Sequence, residues 1–186
     1  MMLWNLFTLT LAHISPTGTA IDGFLHPLLG FDHLLAMVTV GLLSAQIGGR
    51  AIWTVPATFV TVMAGSGVLG YLNVPLPYVE YGIAISVVLL GASLLANRRV
   101  PEVVAIVLVA LFSVFHGHAH GAELHNARTA MDVVAYILGF MTATAGLHVI
   151  GALLGYVALR NHQGSQVLRY SGVLIAVVGV YLTMSV

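Results

Sequence analysis

The sequence contains no cysteine and no lysine, and only 6% of its 186 residues are charged. Without a thiol there is no disulfide, no thiolate metal site and no cysteine nucleophile, so a metal ligand has to be histidine, carboxylate, methionine or backbone. With a formal net charge of zero the chain also lacks the basic face that nucleic-acid binding requires, and that class is excluded. Soluble domains carry roughly a quarter charged residues. A chain this poor in charge has no means of covering itself in water.

What is present is apolar: 59% of residues are hydrophobic and the mean hydropathy is +1.01. At about 20 residues per bilayer crossing, the length allows roughly six or seven helices. The expectation is an all-α, polytopic transmembrane helical bundle in one compact domain over residues 13–186. Met1 to Ala12 is too short to span; it reads either as the apolar region of a signal peptide, without a basic start, or as a helix lying against the membrane. Six longer apolar segments follow, near Pro27 to Ile47, Ile52 to Tyr71, Leu76 to Ala96, Glu102 to Ala122, Val133 to Leu159 and Val167 to Met184. Turn-forming residues separate them, among them Gly48-Gly49-Arg50, Asn73-Val74-Pro75 and Asn161-His162-Gln163-Gly164.

Basic residues in short loops are retained in the cytoplasm. Arg50, Arg98, Arg99, Arg160 and Arg169 all fall between odd and following even spans, so that side is predicted to be cytoplasmic. Asn73 to Pro77, His118 to Thr129 and both termini then lie outside, with Arg128 the lone exception. The location predicted is a bacterial-type inner membrane. Small residues recur at spacings that let helices approach closely, and Gly30, Gly65, Gly117, Gly121, Gly151 and Gly155 are assigned to helix packing.

The chemistry lies in nine histidines and six carboxylates. Span one opens with His26-Pro27-Leu28-Leu29-Gly30-Phe31-Asp32-His33, where Pro27 suits the first helical position and His26 the cap. On one continuous helix His26 and His33 share a face about 20° apart but stand roughly 10 Å apart along the axis. One ion reaches both only if His26 folds inward; two successive sites are the alternative. Asp32 is an ionisable group within a span, unfavourable by several kcal/mol unless paired, hydrated or coordinated. It either orients His33 or binds the cation. The second cluster, Phe115-His116-Gly117-His118-Ala119-His120-Gly121-Ala122-Glu123, closes span four. If the helix continues, His116, His120 and Glu123 form one face and His118 points elsewhere; an extended strand would group the three histidines instead. Backbone at that depth must satisfy its own hydrogen bonds, which favours the helix.

His148 sits near the middle of span five and is expected to face the ligands of spans one and four. Asp132, about 24 Å away along the same helix, is out of its reach. The metal-ligand set is therefore His26, Asp32, His33, His116, His120, Glu123 and His148, with His13, His118 and His125 as a peripheral capture group. Imidazole nitrogen with carboxylate oxygen suits nickel, cobalt, zinc or copper, whereas magnesium and calcium prefer oxygen alone. His162 reads as a solvated loop residue, and Met37, Met63, Met131 and Met141 as packing residues.

These two motifs resemble the HupE/UreJ family of hydrogenase- and urease-associated membrane proteins. The family pattern H-P-x-x-G-x-D-H is matched by His26, Pro27, Gly30, Asp32 and His33. The pattern F-H-G-x-A-H-G-x-E is matched by Phe115, His116, Gly117, Ala119, His120, Gly121 and Glu123, and the stretch from Gly139-Phe140 to Leu147-His148 is a weaker similarity. The resemblance implies a nickel or cobalt permease moving the ion inward, with no prosthetic group and with nickel-enzyme assembly proteins as partners beside the bilayer and the ion. Association of copies stays open. No G-x-x-x-x-G-K loop is present, so nucleotide does not power transport on this chain. The competing readings are an intramembrane zinc hydrolase, since three histidines, a carboxylate and water also describe a catalytic zinc site, and a metal-binding accessory protein.

Overall fold

The computed structural model describes residues 19–96, 100–124 and 129–186. The segment Met1 to Ala12, the histidines His13 and His125, and Arg98, Arg99 and Arg128 lie outside them. The described residues form seven helices: α1 (Ala20–Leu29), α2 (Phe31–Ile47), α3 (Ala51–Tyr71), α4 (Val79–Leu95), α5 (Glu102–Glu123), α6 (Ala130–Leu159) and α7 (Gly164–Ser185). Four of them, α3, α5, α6 and α7, are long and apolar enough to cross a bilayer alone; α1 and α2, bent by 82°, make a fifth if taken as one broken span. Helix α4 has 17 residues, the lower end of the spanning range. The expected six spans are roughly what this arrangement gives. Aliphatic side chains on the outer face of α6, including Val149, Ile150, Leu153 and Leu154, are half exposed or more. In water such a face would be strongly unfavourable; in lipid it is solvated, and the chain is an integral membrane protein.

The first span departs from expectation. The chain becomes helical at Ala20, not at Pro27, because Thr19 and Asp22 form a capping box: the Thr19 hydroxyl accepts from the Asp22 amide at 3.1 Å and the Asp22 carboxylate accepts from the Thr19 amide at 3.2 Å. Pro27 lies inside α1, where it lacks the N–H that would bond back to Gly23. The break follows at Gly30, whose backbone is extended (φ −76°, ψ 108°), and α2 restarts at Phe31. Gly30 is therefore a hinge between helices rather than a packing glycine. A Cβ there would also fall 3.2 Å from His33 Nδ1 and 3.4 Å from Asp32 Oδ1.

Glycines set how the remaining helices pair. On α5, Cβ atoms at Gly117 and Gly121 would run into the α3 backbone at Met63 and Gly67, and one at Gly70 into that of His118. The Ser66 hydroxyl bonds Val114 O and the Thr54 hydroxyl Glu102 Oε1, so the contacts keep a constant offset and α3 and α5 run parallel. Gly41 and Gly151 bring α2 and α6 together in parallel in the same way, with Gly155 against Ala45. Gly91 and Gly172 join α4 to α7, while Gly23 against Tyr136 and Gly139 against Ala20 join α1 to α6 in antiparallel sense. Gly65 departs from expectation: nothing lies within 4 Å of where its Cβ would be, and it faces away from the bundle.

Candidate metal centre

The motif of α5 distributes its side chains to four neighbours. Phe115 packs its ring on Gly82 of α4, and Gly117 and Gly121 press against α3. His116 and His120, each one residue before a glycine, form a second stripe turned about 100° from the first. That stripe faces the α1–α2 break. His118 points elsewhere, and its Nε2–H donates to the Val74 carbonyl in the α3–α4 turn at 2.6 Å.

The break at Gly30 is what brings the first motif into reach. Turning the chain by 82° between His26 and His33 removes their axial separation, and the two rings stand 6.2 Å apart between centroids. The straight-helix spacing of roughly 10 Å is overturned, because no single helix contains both residues. His26 to His120 is 4.6 Å, His33 to His120 is 4.5 Å and His33 to His116 is 5.0 Å. Four histidines from three helices thus form one contiguous cluster. Phe140 of α6 closes one side, 4.0 Å from the His120 ring, and Tyr136 lies 6.2 Å from His26.

Hydrogen bonding assigns the tautomers. Asp32 Oδ1 accepts from the His33 amide and from His33 Nδ1, both at 2.8 Å. Asp32 therefore orients His33, while also capping one of the free N–H groups that the new helix start exposes. His116 Nδ1–H donates to the Phe112 carbonyl at 3.0 Å. Each of these rings is left with an unprotonated Nε2 lone pair, and both lone pairs are buried without a hydrogen-bond partner among the described residues. Both ring nitrogens of His120 are also bare. Leaving a buried polar atom unsatisfied is unfavourable by about 1–3 kcal/mol. Several such atoms within one cluster of rings mark a site built for something other than hydrogen bonds.

At the end of the cluster nearest the α5 C-terminus, Glu123 Oε2 lies 3.6 Å from His26 Nδ1 and 3.7 Å from His120 Nδ1. Donor atoms of these three residues all fall within 4.8 Å of one another. Two donors sharing an ion at 2.0–2.2 Å stand about 3–3.5 Å apart, so a small closure completes the set. A cleft between α3, α5 and α6, lined by Met63, Gly67, His120, Tyr136 and Phe140, lies beside it.

His148 is buried on α6 but does not join the cluster. Its ring meets that of Phe59 of α3 at 5.2 Å, and Phe59 in turn meets His116 at 5.4 Å, so the phenyl ring touches both histidines. Asp132 is engaged at the start of α6, where it forms a capping box with Thr129. Sequence reasoning missed Phe59, Tyr136 and Phe140, whose aromatic character does not separate them from core residues. Only Phe140 carried a signal, through the weak Gly139-Phe140 similarity.

The chain matches the family described as HupE / UreJ protein over residues 1–182. It is 42% identical over 163 residues to Protein HupE of Rhizobium leguminosarum bv. viciae, covering 87% of this chain and 83% of that protein. No solved structure matches.

Proposed function

The chain belongs to the HupE/UreJ family, and on that premise we propose that it is a secondary transporter of a divalent transition metal, nickel by the family resemblance, with cobalt and zinc as alternatives. The observation that carries the reading is the clustering of bare, buried imidazole nitrogens at a helix break, where the donor atoms of His26, His120 and Glu123 come within 4.8 Å of one another. The cargo ion meets Glu123, His26 and His120 first. Exchanging its water for these donors, it passes to Nε2 of His33 and of His116. Mixed nitrogen and oxygen donors select a borderline divalent ion over magnesium or calcium. Asp32 keeps the His33 proton on Nδ1 and so holds Nε2 available.

Orientation rests on the arginine distribution. Arg50, Arg160 and Arg169 occupy the end opposite the cluster, so the cluster opens to the extracytoplasmic side of the inner membrane and the ion moves inward. With no nucleotide site on the chain, a gradient or capture by nickel-enzyme assembly proteins drives net flux.

The family is one of metal transport and accessory proteins rather than a catalytic one. Flux of nickel, cobalt and zinc into proteoliposomes holding only this chain tests the proposal, with His33→Ala and His116→Ala expected to abolish it. Absence of flux with retained binding would leave an accessory role instead. A tightly held zinc with hydrolysis of a lipid or peptide would make the protein an enzyme.

A further inference from the structure

Deep in α6, Thr144 and His148 lie one turn apart on the same face. Both are buried, at 0% and 1% exposure, and the Thr144 hydroxyl and both His148 ring nitrogens have no hydrogen-bond partner among the described residues. A threonine inside a helix ordinarily returns its hydroxyl to the carbonyl four residues earlier. Thr39, Thr58, Thr142 and Thr183 do so here. Thr144, only two residues after Thr142, does not. Its hydroxyl is free, and so is the imidazole one turn further on.

His148 lies deeper than the outer cluster. Phe140 marks the cluster's depth on α6 by its contact with His120, and His148 follows eight residues later, roughly 12 Å along the axis. Phe59, itself fully buried, touches His148 and His116, edge-on to both. We infer that Thr144 and His148 form a second, inner cation station, separated from the outer histidine cluster by the Phe59 ring. The inference rests on the transport reading of the outer cluster. It assigns the inner station to the same class of ion, a borderline divalent metal, held by one nitrogen and one hydroxyl oxygen with water completing its shell. A path must bind its ion firmly enough to admit it and weakly enough to release it. Four histidines and a carboxylate do the first; a two-donor station does the second.

The absence of cysteine makes a direct test available, because His148→Cys introduces the only thiol in the chain. Cadmium added to the purified full-length variant is expected to produce a thiolate-to-metal charge-transfer band in the ultraviolet, diminished by competing nickel. A folded variant without that band overturns the station. Should the cysteine variant fail to fold, Thr144→Val, nearly the same shape, decides. It is expected to lower nickel flux about tenfold while leaving equilibrium nickel affinity within about twofold. Flux equal to wild type overturns the station. Loss of nickel binding in the wild type would refute the outer-cluster reading instead, and the cadmium band reports on the inner station independently of it.

Discussion

Asp32→Asn separates two roles that a carboxylate in this position could play. In the structure its Oδ1 takes both the amide and the Nδ1 proton of His33 at 2.8 Å. Hydrogen bonds to a charged acceptor contribute about 1.5–3 kcal/mol, against about 1 for neutral pairs. Asparagine keeps an acceptor oxygen at the same place but removes the charge. The expected change in nickel affinity is about tenfold, or roughly 1.4 kcal/mol, through a His33 ring that is still oriented but less basic. Asp32→Ala removes the acceptor too, frees the tautomer, and is expected to reduce affinity about a hundredfold. The assay is isothermal titration of nickel into purified protein at neutral pH, with His33→Ala as the reference for loss of a direct ligand. A graded series, with asparagine between wild type and alanine, is the expected outcome. Equal losses for asparagine and alanine, both matching His33→Ala, would refute positioning and make Asp32 a ligand. Binding unchanged in both would refute any role at the site.

Gly121→Val drives a branched side chain into the Gly67 backbone, so α3 and α5 have to separate; thermal unfolding followed by size-exclusion is expected to show loss of the folded monodisperse species. Gly65→Ala, with open space around it, is expected to leave stability unchanged or to raise it by up to about 1 kcal/mol of helix propensity, read from thermal unfolding; a marked destabilisation would show that Gly65 packs after all. His118→Ala breaks the bond to Val74 and is expected to reduce stability by about 1 kcal/mol without altering nickel affinity; a fall in affinity would return His118 to the ligand set. Protonation of His33 or His116 adds its proton at Nε2, the atom the ion needs, so flux is expected to fall as the pH is lowered. Flux that rises steadily with acidity would instead show proton-coupled import.

Helix existence and the polar side chains that gather in the cluster were both legible in the sequence, and for one reason: a bilayer punishes every unpaired polar group, so apolar length marks the spans and each surviving histidine or carboxylate stands out. The alternation of His116-Gly117 and His120-Gly121 even carried the two-stripe geometry, because a glycine stripe and a ligand stripe at the same spacing must face different neighbours. What the sequence concealed was the break at Gly30. Pro27 and His26 satisfied the rules for a helix start, yet Thr19 and Asp22 satisfied them better seven residues earlier, and a proline within a helix is tolerated once its missing N–H is accommodated. The two alternatives differ little in local preference but greatly in outcome. A helix starting at His26 leaves His26 and His33 too far apart to share an ion unless His26 folds inward, whereas a helix broken at Gly30 turns them toward each other and exposes fresh N–H groups, one of which Asp32 caps. The glycine of the first motif thus acts through the chain direction it permits rather than through the close approach expected of it. Its effect becomes visible only when α1 is docked on α6, where Gly23 and Gly139 hold it.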